Sequence, residues 1–482
     1  MTRDKVVEIS STAATINTDF NLTDAGNVER FFARHGVRLR YCPAMSMWFL
    51  WTGVVWQADE QREVWGLALD TVRSLYHEAG DAGTREDRVR ITDFAKKCEG
   101  RRALEALVTM AGNLAAEYGA GVAPSDFDAD PWTLNSASGL LNLKTQELQS
   151  HRPREWMFST DTRAGLCSKL AGAPYVEGAS SPLWDDFLLR VLPDPDVRAF
   201  VQRAVGSALV GEQREERLFF IHGPSATGKS TFIRAIQAAL GTYATVADFE
   251  TFLARPGQAG GAREDLARLA GRRLVVSLEV DEGRRLAVGV VKALTGGDEV
   301  AARYLYGRTF TFIPRFSLWL VANVRPGVPA EDDAVWRRIV EIPFTTVIPE
   351  AERNPDLKTR LCDPTECGPA VLFWLVCGAR AWLQEGLRIP AAVRMATDAY
   401  RDEVDSIGAF LADGTEQQPQ LRAPAGDLYT AYRKHAEATG ERPLSARRFK
   451  ARLEGRGLRQ RKTGSGLVWE GLAVLHDADI NE

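Results

Sequence analysis

Residues Arg217–Gly241 read RLFFIHGPSATGKSTFIRAIQAALG. Leu218 to Ile221 is an unbroken apolar run suited to a buried strand, and Thr231 to Leu240 carries apolar residues at helical spacing. Between them Gly223 and Gly228 bracket four residues, and Lys229 and Ser230 follow at once, which fits G-x-x-x-x-G-K-[ST]. A strand, a small-residue loop and a helix in that order aim backbone N–H groups and the positive helix end at a phosphate chain. Gly223, Pro224, Ser225, Ala226, Thr227, Gly228, Lys229, Ser230 and Thr231 are therefore expected to bind ATP. Lys229 is expected to reach the β/γ-phosphates and the Ser230 hydroxyl to ligate Mg²⁺.

Working outward, 482 residues allow two to four domains, each with its own core. The composition, 45% hydrophobic and 26% charged with a net charge of −4, is that of a soluble globular protein, so any nucleic-acid footprint must be local. The six cysteines lack a disulfide-framework spacing, which points to reduced thiols in a cytosol. Cys362, Cys367 and Cys377 have neither a nearby histidine nor a fourth thiol and are expected to bind no metal. Met1 to Phe20 has no apolar signal-peptide core. The most apolar stretch, Ala370 to Leu383, is too short to span a bilayer and carries Arg380, so it is expected to be a core helix with no membrane partner.

Arg38 to Asp59 has the aromatics and turn glycine of a small meander, followed by an amphipathic helix from Arg62 to Tyr76. Trp48, Trp51 and Trp56 are expected to be core residues, and Asp126, Asp128 and Asp130 a solvated acidic loop. Leu170 to Trp184, rich in Gly, Ala, Ser and Pro, reads as a linker. Helical patterns follow at Leu183–Val191 and Asp196–Leu209, and a further helical segment runs from Pro369 to Leu411. The polar Asp413 to Pro424 marks a last boundary.

Behind the phosphate loop, Leu274 to Leu278 is an apolar strand ending at Glu279, with Asp281 and Glu282 just beyond. A carboxylate at that strand end suits Mg²⁺ or the polarisation of an attacking water. Leu318 to Ala322 is a second apolar strand delivering Asn323, a candidate γ-phosphate sensor. Arg337 and Arg338 flank an apolar strand, and either suits an arginine finger across a subunit interface. Between acid and sensor, Val300–Tyr306 and Thr309–Ile313 pivot at Gly307 as a hairpin. Arg303, Tyr304, Tyr306 and Arg308 at its tip interleave cations with aromatics, a pairing suited to a single-stranded backbone.

Near the end of the chain, Arg442 to Lys462 holds nine Lys/Arg against one Glu454. Ser445 is placed to cap a helix with Phe449 and Leu453 inward and Arg447, Arg448, Lys450 and Arg452 outward. Strand-like runs about Lys462–Gly466 complete the pattern of a winged helix, whose second helix enters a DNA groove.

The ordered set GPSATGKST, RRLVVSLEVDEG, VKALTGGDEVAARYLYG, LWLVANVRP and VWRRIVEIPF resembles superfamily 3 helicases, specifically the phage and plasmid primase-helicase group related to the poxvirus primase-helicase. RLRYCPAMSMWFLWTGVVWQAD and PWTLNSASGLLNLKTQEL look like that group's helicase-associated N-terminal domain. The resemblance implies an α/β fold: a P-loop AAA+ type ATPase core at 183–350, preceded by an α+β N-terminal domain at 1–170. A helical segment at 351–412 and a C-terminal winged helix at 425–482 complete the expected organisation. It further implies a ring, expected to be a hexamer, moving 3′ to 5′ on single-stranded DNA and opening forked DNA in the cytosol of a bacterial host. The catalytic set carried over is Lys229, Glu279, Asp281, Asn323 and Arg337 or Arg338, with Ser230 and Glu279 at the metal and Lys292 added to the DNA-binding motif. Val280 separates Glu279 from Asp281 where many relatives have adjacent acids, so the metal-ligand and base roles stay divided among Glu279, Asp281 and Glu282. No primase domain is recognisable ahead of the helicase-associated region, which implies a separate primase as partner. The rival reading is an ATP-switched replication initiator or loader that binds origin DNA and unwinds little.

Overall fold

The computed structural model describes residues 20–151, 165–212, 214–253, 263–278, 284–303, 309–330, 332–439, 443–464 and 466–475. The chain forms two compact units, Met1–Val176 with Leu240–Thr242, and Glu177–Ala239 with Tyr243–Glu482. The division at Val176 falls inside the Gly/Ala/Ser/Pro-rich stretch Leu170–Trp184.

The first unit is α+β. Strands β1 (Leu39–Cys42), β2 (Met47–Trp51) and β3 (Trp56–Ala58) form the expected antiparallel meander. A second three-stranded sheet joins β4 (Thr133–Ser136), β5 (Gly139–Asn142) and β6 (Leu148–Gln149). Val28, Phe31 and Phe32 from the helix Asp24–His35 pack with Trp48, Val72, Leu107 and Ala111 in one core. Trp48 is buried in that core and Trp56 in a second one with Cys42, Phe49 and Leu166, against which the half-buried Trp51 packs. Arg30, only 2% exposed, is compensated by a forked contact to Glu78 at 2.9 Å and by the carbonyls of Phe20 and Asn21. The aspartates of the acidic loop are tied down: Asp126 accepts from the nearby Ala123 N–H and Asp130 from the nearby Trp132 N–H, while Asp128 accepts from the N–H of Ser168, 40 residues on.

The second unit is built on a five-stranded, wholly parallel sheet. Its strands are β7 (Leu218–His222), β8 (Ala244–Val246), β9 (Leu274–Leu278), β12 (Ser317–Ala322) and β13 (Ile339–Pro343), in the spatial order β13-β7-β12-β9-β8. The near-continuous apolar runs of β7, β9 and β12 are what a parallel sheet covered on both faces requires. Phe219 and Trp319 stack across neighbouring strands with centroids 4.6 Å apart. The antiparallel pair β10 (Val300–Arg303) and β11 (Thr309–Phe312) sets Arg303 opposite Thr309; Tyr304 to Arg308, the expected tip, lie outside the described residues. The apolar stretch around Ala370 forms the helix Gly368–Glu385, whose Val371, Leu372, Leu375 and Ala379 are buried as a core helix demands. Among the described residues no helix is long and apolar enough to cross a membrane.

The C-terminal part departs from the expected boundary. The polar stretch expected to mark a boundary contains strand β14 (Thr415–Pro424), paired antiparallel with β16 (Gly466–Val474), which also pairs with β15 (Arg459–Thr463). Only Thr415 and Ala423 of β14 are buried. An edge strand exposed on both faces carries no alternating apolar pattern, so its polar sequence imitates a loop. The core beneath it begins earlier than residue 425. Ile407, Phe410 and Leu411 of the helix Ser406–Gly414 pack with Leu428, Tyr432, Phe449, Leu453, Trp469 and Leu472. Ser445 stands at the N-cap of the helix Ala446–Gly455, but its side chain makes no capping hydrogen bond.

Candidate nucleotide and nucleic-acid site

The loop Gly223–Gly228 leaves the carboxyl end of β7 and enters the helix Lys229–Leu240, the placement the phosphate-loop reading requires. Its shape is imposed from outside. Phe344, just past β13, donates its N–H to His222 O at 2.8 Å, and Ile348 donates to Ala226 O at 2.9 Å. A Cβ on Gly223 would lie 2.0 Å from Phe344 O, so no larger residue fits. Gly228 has φ +84°, a left-handed backbone suited to glycine. Thr227 is buried with its hydroxyl donating to Pro224 O at 3.1 Å.

Lys229 is buried, and its ammonium donates to Gly223 O at 2.8 Å, Pro224 O at 2.6 Å and Thr227 Oγ1 at 3.3 Å. Burial lowers its pKa below the usual lysine range. The cation is thus already held at the loop by neutral acceptors that a phosphate oxygen can replace. Ser230 is exposed at the first turn of the helix.

Asn323, exposed beyond the end of β12, donates from Nδ2 to Ser225 Oγ at 3.5 Å. Because β12 is the immediate neighbour of β7, the sensor candidate and the phosphate loop meet at one edge of the sheet. The turn after Asn323 is stitched to the segment that follows the acidic motif: Gly327 donates to Arg284 O at 2.7 Å and Leu286 donates to Gly327 O at 3.0 Å. Glu279, Asp281 and Glu282 themselves lie outside the described residues.

The two arginines separate. Arg338 is half-buried, donating to Glu216 at 2.8 Å, Thr295 Oγ1 at 3.2 Å and Ala334 O at 2.8 Å. Arg337 is exposed, its side chain donating from Nε to Asp333 O at 3.3 Å. Lys292 is held by both carboxylate oxygens of Asp332 at 2.8 and 2.9 Å. Arg303 is exposed at the end of β10, whereas Tyr304, Tyr306 and Arg308 lie outside the described residues. In the C-terminal part Arg447, Arg448 and Lys450 are exposed, while Arg452 is half-buried with its pKa lowered by burial. Among the described residues no group of three or more His, Cys, Asp or Glu is arranged to hold a metal, and the six cysteines are free thiols.

Sequence reasoning missed what supports the site from behind. Glu341, 2% exposed in β13, is bracketed by Arg325 and His222. The available clue was the charged residue inside IVEIP, otherwise an apolar strand.

Residues 28–193 match the family described as D5 N terminal like, and residues 221–338 match a family of unknown function, DUF5906. The chain is 30% identical over 262 residues to "Putative helicase 022R" of Frog virus 3, and 27% identical over 241 residues to "Putative helicase L207/L206" of Acanthamoeba polyphaga mimivirus. The D5 match and these viral relatives fit the primase-helicase family. These alignments take in 51% and 47% of this chain but 27% and 25% of the two relatives, so it spans about a quarter of their length. The apo NrS-1 C-terminal region is similar at 9% identity with a TM-score of 0.36, over 63% of this chain and 78% of that one, too loose a likeness to transfer geometry.

Proposed function

We propose that this primase-helicase-family chain is an ATP-driven DNA helicase of phage, prophage or plasmid replication, working as a ring on single-stranded and forked DNA. The observation that carries the reading is the meeting of the Lys229 loop with Asn323 at the ends of two adjacent parallel strands. ATP fits this loop: Gly223 leaves no room for a side chain, Lys229 is already poised, and the Asn323 amide faces Ser225. Gly223 to Thr231 would hold the phosphates, and Ser230 with Glu279 would hold Mg²⁺, whose chemistry is to neutralise charge on the phosphate oxygens. Asn323 orients the group being transferred, Glu279, Asp281 or Glu282 serves the attacking water, and Arg337 or Arg338 reaches the neighbouring subunit's site. Such an interfacial finger is what makes a ring, here proposed to be a hexamer, a functional necessity rather than a packing accident.

The hairpin β10–β11, with Arg303 at its described end, is proposed to grip the strand through Tyr304, Tyr306 and Arg308. The C-terminal order of helix, strand, two helices and two strands suits a winged helix, and Arg447, Arg448 and Lys450 supply its exposed cations. That basic face is the observation favouring the second reading, an initiator that uses ATP to assemble on origin DNA.

Strand displacement on 3′- and 5′-tailed forks decides between them. The parent protein is expected to unwind the 3′-tailed substrate and Lys229→Ala to lose both hydrolysis and unwinding. Tyr306→Ala with Arg308→Ala is expected to keep basal ATPase and lose DNA stimulation. Normal unwinding by that double variant would overturn the translocation role.

A further inference from the structure

Behind the phosphate loop the end of β7 and the turn after β12 share one buried carboxylate from the middle of β13. Glu341 in β13 is 2% exposed, and a carboxylate so placed is costly unless it is paired and hydrogen-bonded. Arg325 supplies the pairing in a fork, donating from Nε to Oε2 at 3.0 Å and from Nη2 to Oε1 at 2.7 Å. His222 Nδ1 lies 3.1 Å from Oε1. His222 is the last residue of β7, next to Gly223, and Arg325 follows Asn323 by two residues. The guanidinium is fixed from its other sides as well: Glu403 accepts from Nη1, and the Tyr400 ring lies beneath it at 5.3 Å. The Tyr400 hydroxyl in turn donates to Pro326 O, the next residue of the sensor turn.

We infer that Arg325 is a positioning residue, whose bidentate grip on Glu341 sets Asn323 against the phosphate loop. The inference rests on the nucleotide-site reading above. The physical logic is that Glu341 cannot give up its partner without leaving an unpaired buried charge, so the position of Arg325 is dictated by β13. Asn323, two residues away, inherits that position. The same carboxylate, through His222, sits under the start of the loop Asn323 must face. A lysine at 325 keeps the charge but loses the fork, and with it the orientation of the turn.

The test is a double-mutant cycle of Arg325→Ala and Asn323→Ala in the full chain, with steady-state ATP turnover and direct binding of a fluorescent nucleotide. Turnover is expected to fall roughly 10- to 100-fold in either single variant, the size expected of a displacement near 1 Å. Nucleotide affinity is expected to stay within about threefold, and the double variant to be no slower than the worse single one, because both changes remove one function. Arg325→Lys is expected to recover little turnover. Where Arg325→Ala fails to fold, Glu341→Gln combined with Asn323→Ala supplies the same cycle. Multiplying losses in the cycle, or a loss confined to nucleotide affinity, would overturn the positioning role alone. Full turnover by Lys229→Ala in the same assay would overturn the nucleotide-site reading beneath it.

Discussion

Gly223→Ala tests whether the phosphate loop owes its shape to the strand beside it. The added methyl would sit 2.0 Å from Phe344 O, where real contacts stay above about 3 Å, and Phe344 is itself tied to His222 O through its N–H at 2.8 Å. The obstacle is backbone on both sides, so no rotamer change relieves it; the loop or the strand end must move by about 1 Å. Overpacking of this kind costs about 1–3 kcal/mol, and the φ of +154° adds to it. For a unit of this size each kcal/mol lowers Tm by about 2–4 °C. A loop displaced by about 1 Å from its phosphate-binding geometry is expected to lose roughly 100-fold in turnover. Gly289→Ala is the control, being exposed in the helix Val288–Thr295 with nothing within 4 Å of the new methyl. It is expected to melt at or slightly above the parent. The assay is differential scanning fluorimetry with and without ATP, beside steady-state hydrolysis. Parent-like melting and turnover in Gly223→Ala would refute the claim that β13 shapes the loop.

Arg338→Ala is expected to lower stability by about 1 kcal/mol through its lost contacts to Glu216, Thr295 and Ala334, while Arg337→Ala stays within about 0.5 kcal/mol. Mixed with parent subunits, the variant lacking the finger is expected to depress ATPase out of proportion to its share; if neither does, no interfacial arginine operates. Replacing Arg447, Arg448 and Lys450 by alanine is expected to flatten the dependence of log K on log salt for duplex DNA by about 2–3, and an unchanged slope would discard the winged-helix proposal. In the first unit, burial lowers the His35 pKa from 6.5 to about 4, against the opposing pull of Asp70. The unfolded chain therefore takes the proton first as pH falls, and stability present above pH 6.5 is lost on the way down to about 4, by up to roughly 3 kcal/mol. Urea melts of the parent and of His35→Gln should diverge in slope across that window; parallel curves would contradict the assignment.

What the sequence made legible follows from where the physics is local. The phosphate-loop motif is written in consecutive residues because its own atoms run from one strand end to one helix start, even though β13 shapes it from outside. The buried strands of the parallel sheet announce themselves as apolar runs, and the core helix at Gly368–Glu385 does the same. Strand β14 was illegible because an edge strand with both faces wet has no apolar period to show. Arg325 and Glu341 were illegible for a different reason. Their meaning is a contact between residues 16 apart in sequence that only strand order brings together. Lys292 could be listed with the DNA-binding cations, but its pairing with Asp332 is again a matter of tertiary neighbours.

Strand order also constrains how the acidic motif can act. In the order β13-β7-β12-β9-β8, β12 lies between the strand that launches the phosphate loop and the strand that ends at Leu278. With strands about 4.8 Å apart, Asn323 leaves one spacing from β7 and the end of β9 two, about 10 Å away. An amide one spacing off reaches the loop directly, as the 3.5 Å contact of Asn323 to Ser225 illustrates. A carboxylate launched from two spacings off has room for a water between itself and the phosphates. Under the proposed nucleotide-site reading, the adjacent position suits a group that touches the phosphate chain, and the next one a group that activates a nucleophile standing beside it. Exchanging the two side chains between the strand ends would put a negative charge against the phosphates and a neutral amide where a base is needed. On the function proposed above, the apolar strands would do more than bury a core: their order would apportion the chemistry among the residues that follow them.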